Sequence, residues 1–317
     1  MPLISPHLSI PRSSLCFALL AGLLVGCASN NPDSPSNRIV RSKNLSGVFG
    51  TYDAEPRKAD GRVDVDRLVN ELVTIKANTY NFLVWRATND WDDFKLFLPK
   101  ARKKHIKVWV TIVPPSESPP HTRNYSEPFR LDYQRWATEI ATLSLKEPNL
   151  VAWSLDDFSY SSETFTLEYI TQMVGRARAI NPHLAFVPCL YYGHVTIKLG
   201  EQYRSLVDGI LFPYRHEAGK RNLSEWDTLP VEIARIKERF GGALPVFVDV
   251  YATKHSQLND ASPEYVEQVM SLARQHSDGV LIYCHQYEAT SPEKYRVIKR
   301  LFADWSTESA GIQKRPQ

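Results

Sequence analysis

Two adjacent aspartates, Asp156 and Asp157, follow the apolar run 150–155 and have the side chains best suited to chemistry. Because side chains alternate along a strand, Ser154 and Asp156 should share the inward face, whereas Trp153 should face the surrounding helices. Two carboxyl groups this close cannot both ionise cheaply, so the pKa of one should rise, as an acid catalyst requires. The pair is therefore predicted to act in catalysis.

A third aspartate, Asp249, lies near the end of another apolar run and offers a second arrangement. In the first arrangement Asp156 is the nucleophile or base and Asp157 is the acid; in the second, Asp156 works with Asp249 across the site. Asp157 and Asp249 could each have a structural role instead of a catalytic one. Asp157 could cap its loop, and either Asp157 or Asp249 could pair with Arg86 or Arg215.

Apolar runs of strand type recur along the chain and must position these acids. Eight of them are Gly47–Tyr52, Tyr80–Trp85, Lys107–Val113, Leu150–Leu155, Leu184–Leu190, Gly209–Pro213, Leu244–Val250 and Gly279–Cys284. Apolar residues at helical spacing lie between most of them, so the pattern predicts an α/β protein with a single (β/α)8 TIM barrel. A doubly wound open sheet would need a Gly-rich phosphate loop after the first strand, and Tyr52-Asp53-Ala54-Glu55 stands there instead.

Helix starts are predicted at three places. Ser262-Pro263-Glu264 and Ser291-Pro292-Glu293 each supply an N-cap hydroxyl, a proline in the first turn and an acid facing the helix dipole. In the stretch 91–104, Pro99 predicts that the helix begins late, at Leu98 or Pro99.

Aromatic and charged residues follow the strand ends, where the sites of TIM barrels lie. By alternation, one of Tyr191 and Tyr192 should enter the site while the other packs outside. Aromatic faces stack on sugar rings and polar groups hydrogen-bond hydroxyls, so this rim suits an oligosaccharide better than a nucleotide. The predicted substrate-binding residues are Tyr52, Trp85, Arg86, Tyr191, Tyr192, Tyr214, Arg215, His216, Tyr251 and His285.

The chain resembles the glycoside-hydrolase-like TIM barrels, including chitinase-like barrels with acids at the end of strand four and a tyrosine after strand six. The resemblance covers about residues 45–305 in architecture. The Asp-x-x-Asp-x-Asp-x-Glu run of chitinase-like enzymes is absent from 150–158, as is the Asn-Glu that ends strand four in many retaining glycosidases. The resemblance therefore implies a fold and a carbohydrate substrate.

The predicted function is a membrane-anchored glycoside hydrolase acting on a polysaccharide or oligosaccharide. The alternative is a non-catalytic glycan-binding or scaffold lipoprotein on a degenerate barrel.

The N-terminal apolar segment ends in Leu24-Val25-Gly26-Cys27 and is too short to span a bilayer comfortably. It resembles a bacterial lipobox, which implies cleavage before Cys27 and diacylation of its thiol by chains such as palmitate. The alternatives are an ordinary signal peptide or an anchor that happens to contain a cysteine. Ala28 and Ser29 follow without an aspartate, which by resemblance to sorting rules favours the outer membrane, facing the periplasm or the cell surface.

These features predict four segments: a signal peptide (1–26), the lipidated cysteine with a flexible linker rich in small polar residues and proline (27–44), the barrel (45–305) and a C-terminal tail (306–317). The net charge of +3 and the lack of a basic block argue against a nucleic-acid partner. The expected partners are a carbohydrate and the membrane.

No cofactor or metal is predicted, because no Cys/His cluster has metal-ligand spacing. Asp156, Asp157 and His216 lack the spacing that would indicate a metal-dependent deacetylase. Once Cys16 leaves with the signal peptide and Cys27 takes lipid, Cys189 and Cys284 remain. They are expected to be buried free thiols, although an oxidising periplasm would allow them to pair.

Overall fold

Eight parallel strands alternate with helices along residues 31–313, the part of the chain that the computed structural model describes. The strands are β1 (Val48–Tyr52), β2 (Thr79–Val84), β3 (Lys107–Ile112), β4 (Leu150–Leu155), β5 (Ala185–Phe186), β6 (Ile210–Tyr214), β7 (Val246–Tyr251) and β8 (Gly279–Tyr283). They pair in the order β5-β4-β3-β2-β1-β8-β7-β6, and a parallel bridge between Cys189 and Leu211 joins the two outer strands. The predicted α/β TIM barrel is confirmed.

Helices follow most strands and cover the outside of the barrel. They are α1 (Pro35–Leu45), α2 (Val65–Thr74), α3 (Asp90–Arg102), α4 (Tyr133–Lys146), α5 (Leu167–Ile180), α6 (Ile197–Tyr203), α7 (Leu229–Arg239), α8 (Pro263–His276) and α9 (Pro292–Gln313). Ser262 caps α8 as predicted, since its hydroxyl accepts a hydrogen bond from the backbone N–H of Tyr265. Within residues 31–313, no helix is both long enough and apolar enough to cross a membrane.

The predicted register of β4 is confirmed. Trp153 belongs to the apolar cluster between barrel and helices, together with Met173 of α5. Ala152 belongs to the cluster inside the barrel, together with Trp109. Alternation from Ala152 turns Ser154, which is fully buried, to the inside as well. The same register directs Asp156 inward at the carboxyl end of the strand.

Helix α3 begins at Asp90, so the prediction of a late start at Leu98 or Pro99 is wrong. Trp91, Phe94 and Phe97 are buried at helical spacing, and this apolar face outweighs the proline. A proline removes the hydrogen bond to the carbonyl four residues earlier, here that of Lys95. Lys95 lies on the exposed face, where water can satisfy that carbonyl.

Strand β5 covers two residues, fewer than the predicted run Leu184–Leu190. Pro188 lies in that run and has no N–H to donate to a sheet. Its carbonyl accepts a 3.0 Å hydrogen bond from the N–H of Leu211, so the chain remains attached to β6 beyond the end of the regular strand.

The predicted flexible linker needs correction, because α1 occupies its second half. Arg41 of α1 is buried; it donates a 2.6 Å hydrogen bond to Asp208 Oδ1 and a 2.7 Å bond to the carbonyl of Pro182. These partners precede β6 and β5, so α1 packs at the end of the barrel where the strands begin. At the other terminus, α9 continues to Gln313, into the predicted tail. Cys27 and the predicted signal peptide lie outside the described residues.

Candidate active site

A cavity of about 710 Å³ opens where the strands end. Nine of the residues predicted from the sequence line it: Tyr52, Trp85, Arg86, Asp156, Asp157, Tyr191, Arg215, Asp249 and Tyr251. Residues that the prediction did not include also line it: Ser116, Glu117, Tyr160, Pro213, Arg221, Lys254, His255, Ser256, Gln257 and Tyr283. The structure thus brings the three candidate aspartates into one cavity.

Asp156 and Asp157 both reach this cavity because the backbone changes direction between them. The N–H of Asp156 donates a 3.0 Å hydrogen bond to the carbonyl of Ile112, which continues the pairing of β4 with β3. Asp157 then adopts a left-handed conformation with φ of 40°, and its N–H donates a 3.0 Å bond to Asp156 Oδ1. Aspartate is one of the residues that tolerate this conformation. The two carboxyl groups present oxygens within 4.8 Å of each other.

The carboxyl group of Asp157 is held by residues at the ends of β5 and β6. The Tyr191 hydroxyl donates a 2.6 Å hydrogen bond to Asp157 Oδ1, and the Arg215 guanidinium lies 3.9 Å from the centre of the Tyr191 ring. Burial raises the pKa of Asp157, whereas the Tyr191 hydrogen bond and the Arg215 charge oppose that rise. These contacts favour the charged form of Asp157.

Asp156 is half-buried, like Asp157. Burial is the main cause that raises the pKa of Asp156 to about 8, and the charges of Asp157 and Glu117 add to the rise. The Tyr52 hydroxyl opposes it. Asp156 therefore keeps its proton at neutral pH, as the sequence predicted for one member of the pair.

Asp249 lies deeper in the same cavity, with only 2% of its surface exposed. Burial raises its pKa well above the ordinary value, and the charge of Asp156 adds to this effect. Among the described residues, Asp249 Oδ1 has no hydrogen-bond partner. A buried carboxyl group in these surroundings holds a proton.

Arg86 and Arg215, the alternative partners predicted for Asp157 and Asp249, are paired with other acids. Arg86 Nε donates a 3.2 Å bond to Asp53 Oδ1, and Arg215 Nε donates a 2.9 Å bond to Glu217 Oε1. In each pair a second guanidinium nitrogen contacts the same carboxyl group. The structure therefore argues against Asp249 as the buried partner of either arginine.

Glu117 is a fourth acid in the cavity that the sequence prediction did not include. It ends a short 3-10 turn after β3, and its backbone is held at both sides: its N–H donates to Pro114 and its carbonyl accepts from the Thr122 hydroxyl at 2.6 Å. Burial, followed by the charge of Asp157, raises the pKa of Glu117 to about 7. Its position just after a strand end was the signal that could have identified it.

Two tyrosines of the predicted rim lie elsewhere because alternation points them away from the cavity. Tyr191 enters the cavity and Tyr192 packs outside, where its hydroxyl accepts a 2.8 Å hydrogen bond from Arg235. Tyr214 is fully buried on the helix side of β6, and its hydroxyl donates to the carbonyl of Glu225 at 3.2 Å. The assignment of Tyr192 and Tyr214 to the cavity therefore needs correction.

The two predicted histidines also lie outside the cavity lining. His216 has a φ of 54°, and its Nε2 lies 3.0 Å from Asp227 Oδ1 within its own loop. His285 is buried with its Nδ1 3.0 Å from the Thr51 hydroxyl, and burial lowers its pKa to about 4. His285 is thus a neutral group on the outer side of β1 and β8.

Cys189 and Cys284 are free thiols. Cys189 is buried, as expected. Cys284 is only half-buried, which corrects the expectation of a buried thiol, and the Sγ of Cys284 lies 3.7 Å from Asp53 Oδ2. Asp156, Asp157 and Cys189 present three possible metal donor atoms within 4.8 Å of one another. Burial raises the pKa of Asp156 to about 8 and that of the Cys189 thiol well above its ordinary value, so two of the three groups hold protons at neutral pH and the cluster is poorly suited to a cation.

Comparison with known proteins supports the fold. No family model and no curated protein sequence matches the chain. Among solved structures, β-glucuronidase 2 of Bacteroides uniformis, covalently bound to cyclophellitol-6-carboxylate aziridine, aligns with a TM-score of 0.53 and 12% identity over 75% of this chain and 30% of that chain. The GH2 β-galacturonidase of Eisenbergiella tayi, bound to galacturonate, aligns with a TM-score of 0.53 and 14% identity over 82% of this chain and 51% of that chain.

A third structure matches over nearly its whole length. Active domain 2 of the thermostable chitinase from Pyrococcus furiosus, complexed with chito-oligosaccharides, aligns with a TM-score of 0.55 and 10% identity over 84% of this chain and 97% of that chain. By contrast, this chain spans about a third to a half of the first two proteins. The feature that the chain shares with these structures is the (β/α)8 barrel fold.

Proposed function

We propose that this chain is a glycoside hydrolase of the bacterial envelope that cleaves O-glycosidic bonds with the carboxyl groups of its cavity. The observation that carries the proposal is the unequal environment of Asp156 and Asp157. Asp156 keeps its proton, whereas Asp157 receives the Tyr191 hydrogen bond and experiences the Arg215 charge. Paired carboxyl groups whose environments push their pKa values apart are the usual basis of acid and base roles in glycosidases.

The environments assign the roles in the opposite order to the first sequence arrangement. Asp156 is the general acid that protonates the leaving oxygen, because its pKa is raised to about 8. Asp157 is the carboxylate that attacks or stabilises the sugar. Their oxygens lie within 4.8 Å, closer than the ~6.5–9.5 Å typical of inverting enzymes, which favours retention of configuration.

Aromatic side chains around the acids supply surfaces for a sugar ring. Trp85, Tyr160 and Tyr283 line the cavity, and Trp85 is oriented by a 3.2 Å hydrogen bond from its indole nitrogen to the carbonyl of Asn124. Such faces bury the apolar side of a sugar while polar groups bind its hydroxyls. The structural neighbours described above are glycosidases solved with sugar-like ligands, which is consistent with a carbohydrate in this cavity.

The proposed location rests on the sequence around Cys27. Lipid attachment at this cysteine would hold the protein at a membrane, and the residues after it favour the outer one. A substrate in the cell envelope or on the cell surface follows from that location.

The proposal is tested by screening the full-length protein against bacterial surface polysaccharides and exopolysaccharides for release of reducing ends. We expect hydrolysis of at least one glycan by the wild type and its loss in Asp156→Asn. Asp304→Asn is the matched control, since Asp304 is an exposed carboxylate of α9. A glycan that binds the wild type but is not cleaved would favour the non-catalytic binding protein instead.

A further inference from the structure

The cavity carries opposite charges on its two sides. Acids that line it after β3 and β4 are Glu117, Asp156 and Asp157. The loops after β6 and β7 contribute the basic side chains of Arg221 and Lys254, together with Arg215, whose charge also acts on Asp157. A ligand in the cavity therefore meets carboxyl groups at one end and positive charge at the other.

The basic side keeps a surplus of positive charge. Arg215 is paired with Glu217, whose other oxygen accepts a 2.7 Å hydrogen bond from the N–H of Gly193. Arg221 contacts the neutral side chain of Gln257 at 3.4 Å, and neither Arg221 nor Lys254 has a carboxylate partner among residues 31–313. Three cations thus face one carboxylate on this side of the cavity.

His255 also lines the cavity, and its ring packs edge-on against Tyr251 with 5.2 Å between ring centres. Its pKa is lowered by burial and by the charges of Arg215 and Arg221. His255 is therefore neutral at neutral pH and leaves Arg221 and Lys254 to provide the charge that a ligand meets.

The two loops that form this side are tied together. The Asn259 side chain, from the loop after β7, accepts a 2.9 Å hydrogen bond from the N–H of Leu223 and donates a 3.0 Å bond to the carbonyl of the same residue. It also donates to the Ser224 hydroxyl at 2.9 Å. These hydrogen bonds connect the two loops from which the exposed side chains of Arg221 and Lys254 extend.

We propose that the sugar bound in this cavity carries an anionic substituent, a carboxylate or a sulfate, which Arg221 and Lys254 bind while the scissile oxygen lies at Asp156. This inference rests on the proposed function for the orientation of the sugar. The anion lies on the β6 and β7 side, away from the carboxyl groups of the β3 and β4 side. A neutral sugar would leave the two cations without a partner.

The test is a binding measurement by titration calorimetry on the full-length protein with matched probes. One pair of probes is oligogalacturonate and its methyl ester, and the other is dextran sulfate and dextran oligosaccharides of equal length. We expect at least one anionic probe to bind about tenfold or more tightly than its neutral counterpart, the scale of one charged hydrogen bond. The pair that shows the difference identifies the substituent.

Arg221→Gln combined with Lys254→Gln should abolish that preference, because the loss of charge weakens binding of the anionic probe far more than binding of the neutral one. Lys104→Gln is the control, because Lys104 is an exposed cation just before β3, at the opposite end of the barrel. If neither anionic probe binds more tightly than its neutral counterpart, or if the double variant keeps the preference, the proposal is overturned. A preference for the anionic probe without cleavage of any glycan would support the anionic-substituent proposal and contradict the hydrolase proposal. Cleavage of neutral glycans that is unchanged in the double variant would support the hydrolase proposal and contradict the anionic-substituent proposal.

Discussion

The hydroxyl of Tyr191 donates a 2.6 Å hydrogen bond to Asp157 and so joins the segment after β5 to the end of β4. The contact forms because Asp157 is left-handed and Tyr191 occupies an inward position of its segment. This hydrogen bond makes the two neighbouring aspartates differ in pKa, since it favours the charged form of Asp157 only.

Tyr191→Phe should therefore raise the pKa of Asp157 and move the acidic limb of the kcat/KM profile to higher pH. The loss of activity should be larger at pH 5 than at pH 7, because more of Asp157 is then protonated. Tyr192→Phe is the matched control, since its hydroxyl contacts Arg235 outside the cavity. Equal pH profiles for the wild type and Tyr191→Phe would show that Asp157 does not act as a carboxylate.

Asp156→Asn should lower turnover by about 10²-fold or more, the scale for loss of acid/base help, while the protein remains folded. The amide has nearly the same volume as the protonated carboxyl group but cannot deliver a proton. Asp157→Asn should do similar damage if Asp157 attacks the sugar. Turnover on the glycan found in the screen and circular dichroism of the variants check both statements, and full activity of Asp156→Asn would exclude it as the acid.

Asp249→Asn separates the adjacent pair from the cross-barrel pair. If Asp156 and Asp157 carry the reaction, replacing Asp249 should cost less than about tenfold in turnover, since a protonated acid is exchanged for an amide of similar shape. A loss as severe as that of Asp156→Asn would instead assign the chemistry to Asp156 and Asp249. The comparison is made at saturating glycan so that binding effects do not enter.

The contribution of Asp156 to thermal stability should fall as pH rises from about 4 to about 8. Its pKa rises from an ordinary value of 3.8 to about 8 on folding, so between these values the folded state binds a proton that the unfolded state has lost. The stabilisation is complete below the unfolded pKa and disappears as pH rises through the folded one. The melting temperature of Asp156→Asn relative to the wild type should thus increase with pH across this window, whereas that of Asp304→Asn should stay constant.

Cys27→Ser should block lipid attachment and leave a precursor or a soluble periplasmic form. Metabolic labelling with palmitate, followed by fractionation, measures both effects. Labelling that does not depend on Cys27 would show that the lipoprotein assignment is wrong.

Local patterns were sufficient to predict β4 and the placement of its aspartates. Alternation from Ala152 to Asp156 involves five residues, and inward direction follows from strand geometry alone. The same rule, applied to β6, would have turned Tyr214 outward, because Pro213 and Arg215 on either side of it line the cavity. That error came from treating every residue near a strand end as part of the rim.

Other features depend on partners far away in sequence and could not be read locally. Arg41 lies in a polar segment that resembles a linker, yet it is buried because Asp208 and Pro182 receive its hydrogen bonds. Glu117 is in a loop whose path is set by Thr122 and by contact with the turn after β4. The nearby end of β3 indicates that Glu117 lies near the cavity, but the exact path of its loop, like the burial of Arg41, requires the closed barrel.

The burial of Arg41 has a consequence for the proposed attachment at Cys27. Helix α1 is fixed at the end of the barrel where strands begin, and the cavity opens at the other end. Pro32 is the fifth residue after Cys27, so even a fully extended chain spans at most about 18 Å between them. Lipid attachment at Cys27, as proposed, would keep the end of the barrel where the strands begin close to the membrane. The cavity would then open away from the lipid, towards glycan strands at a distance from it.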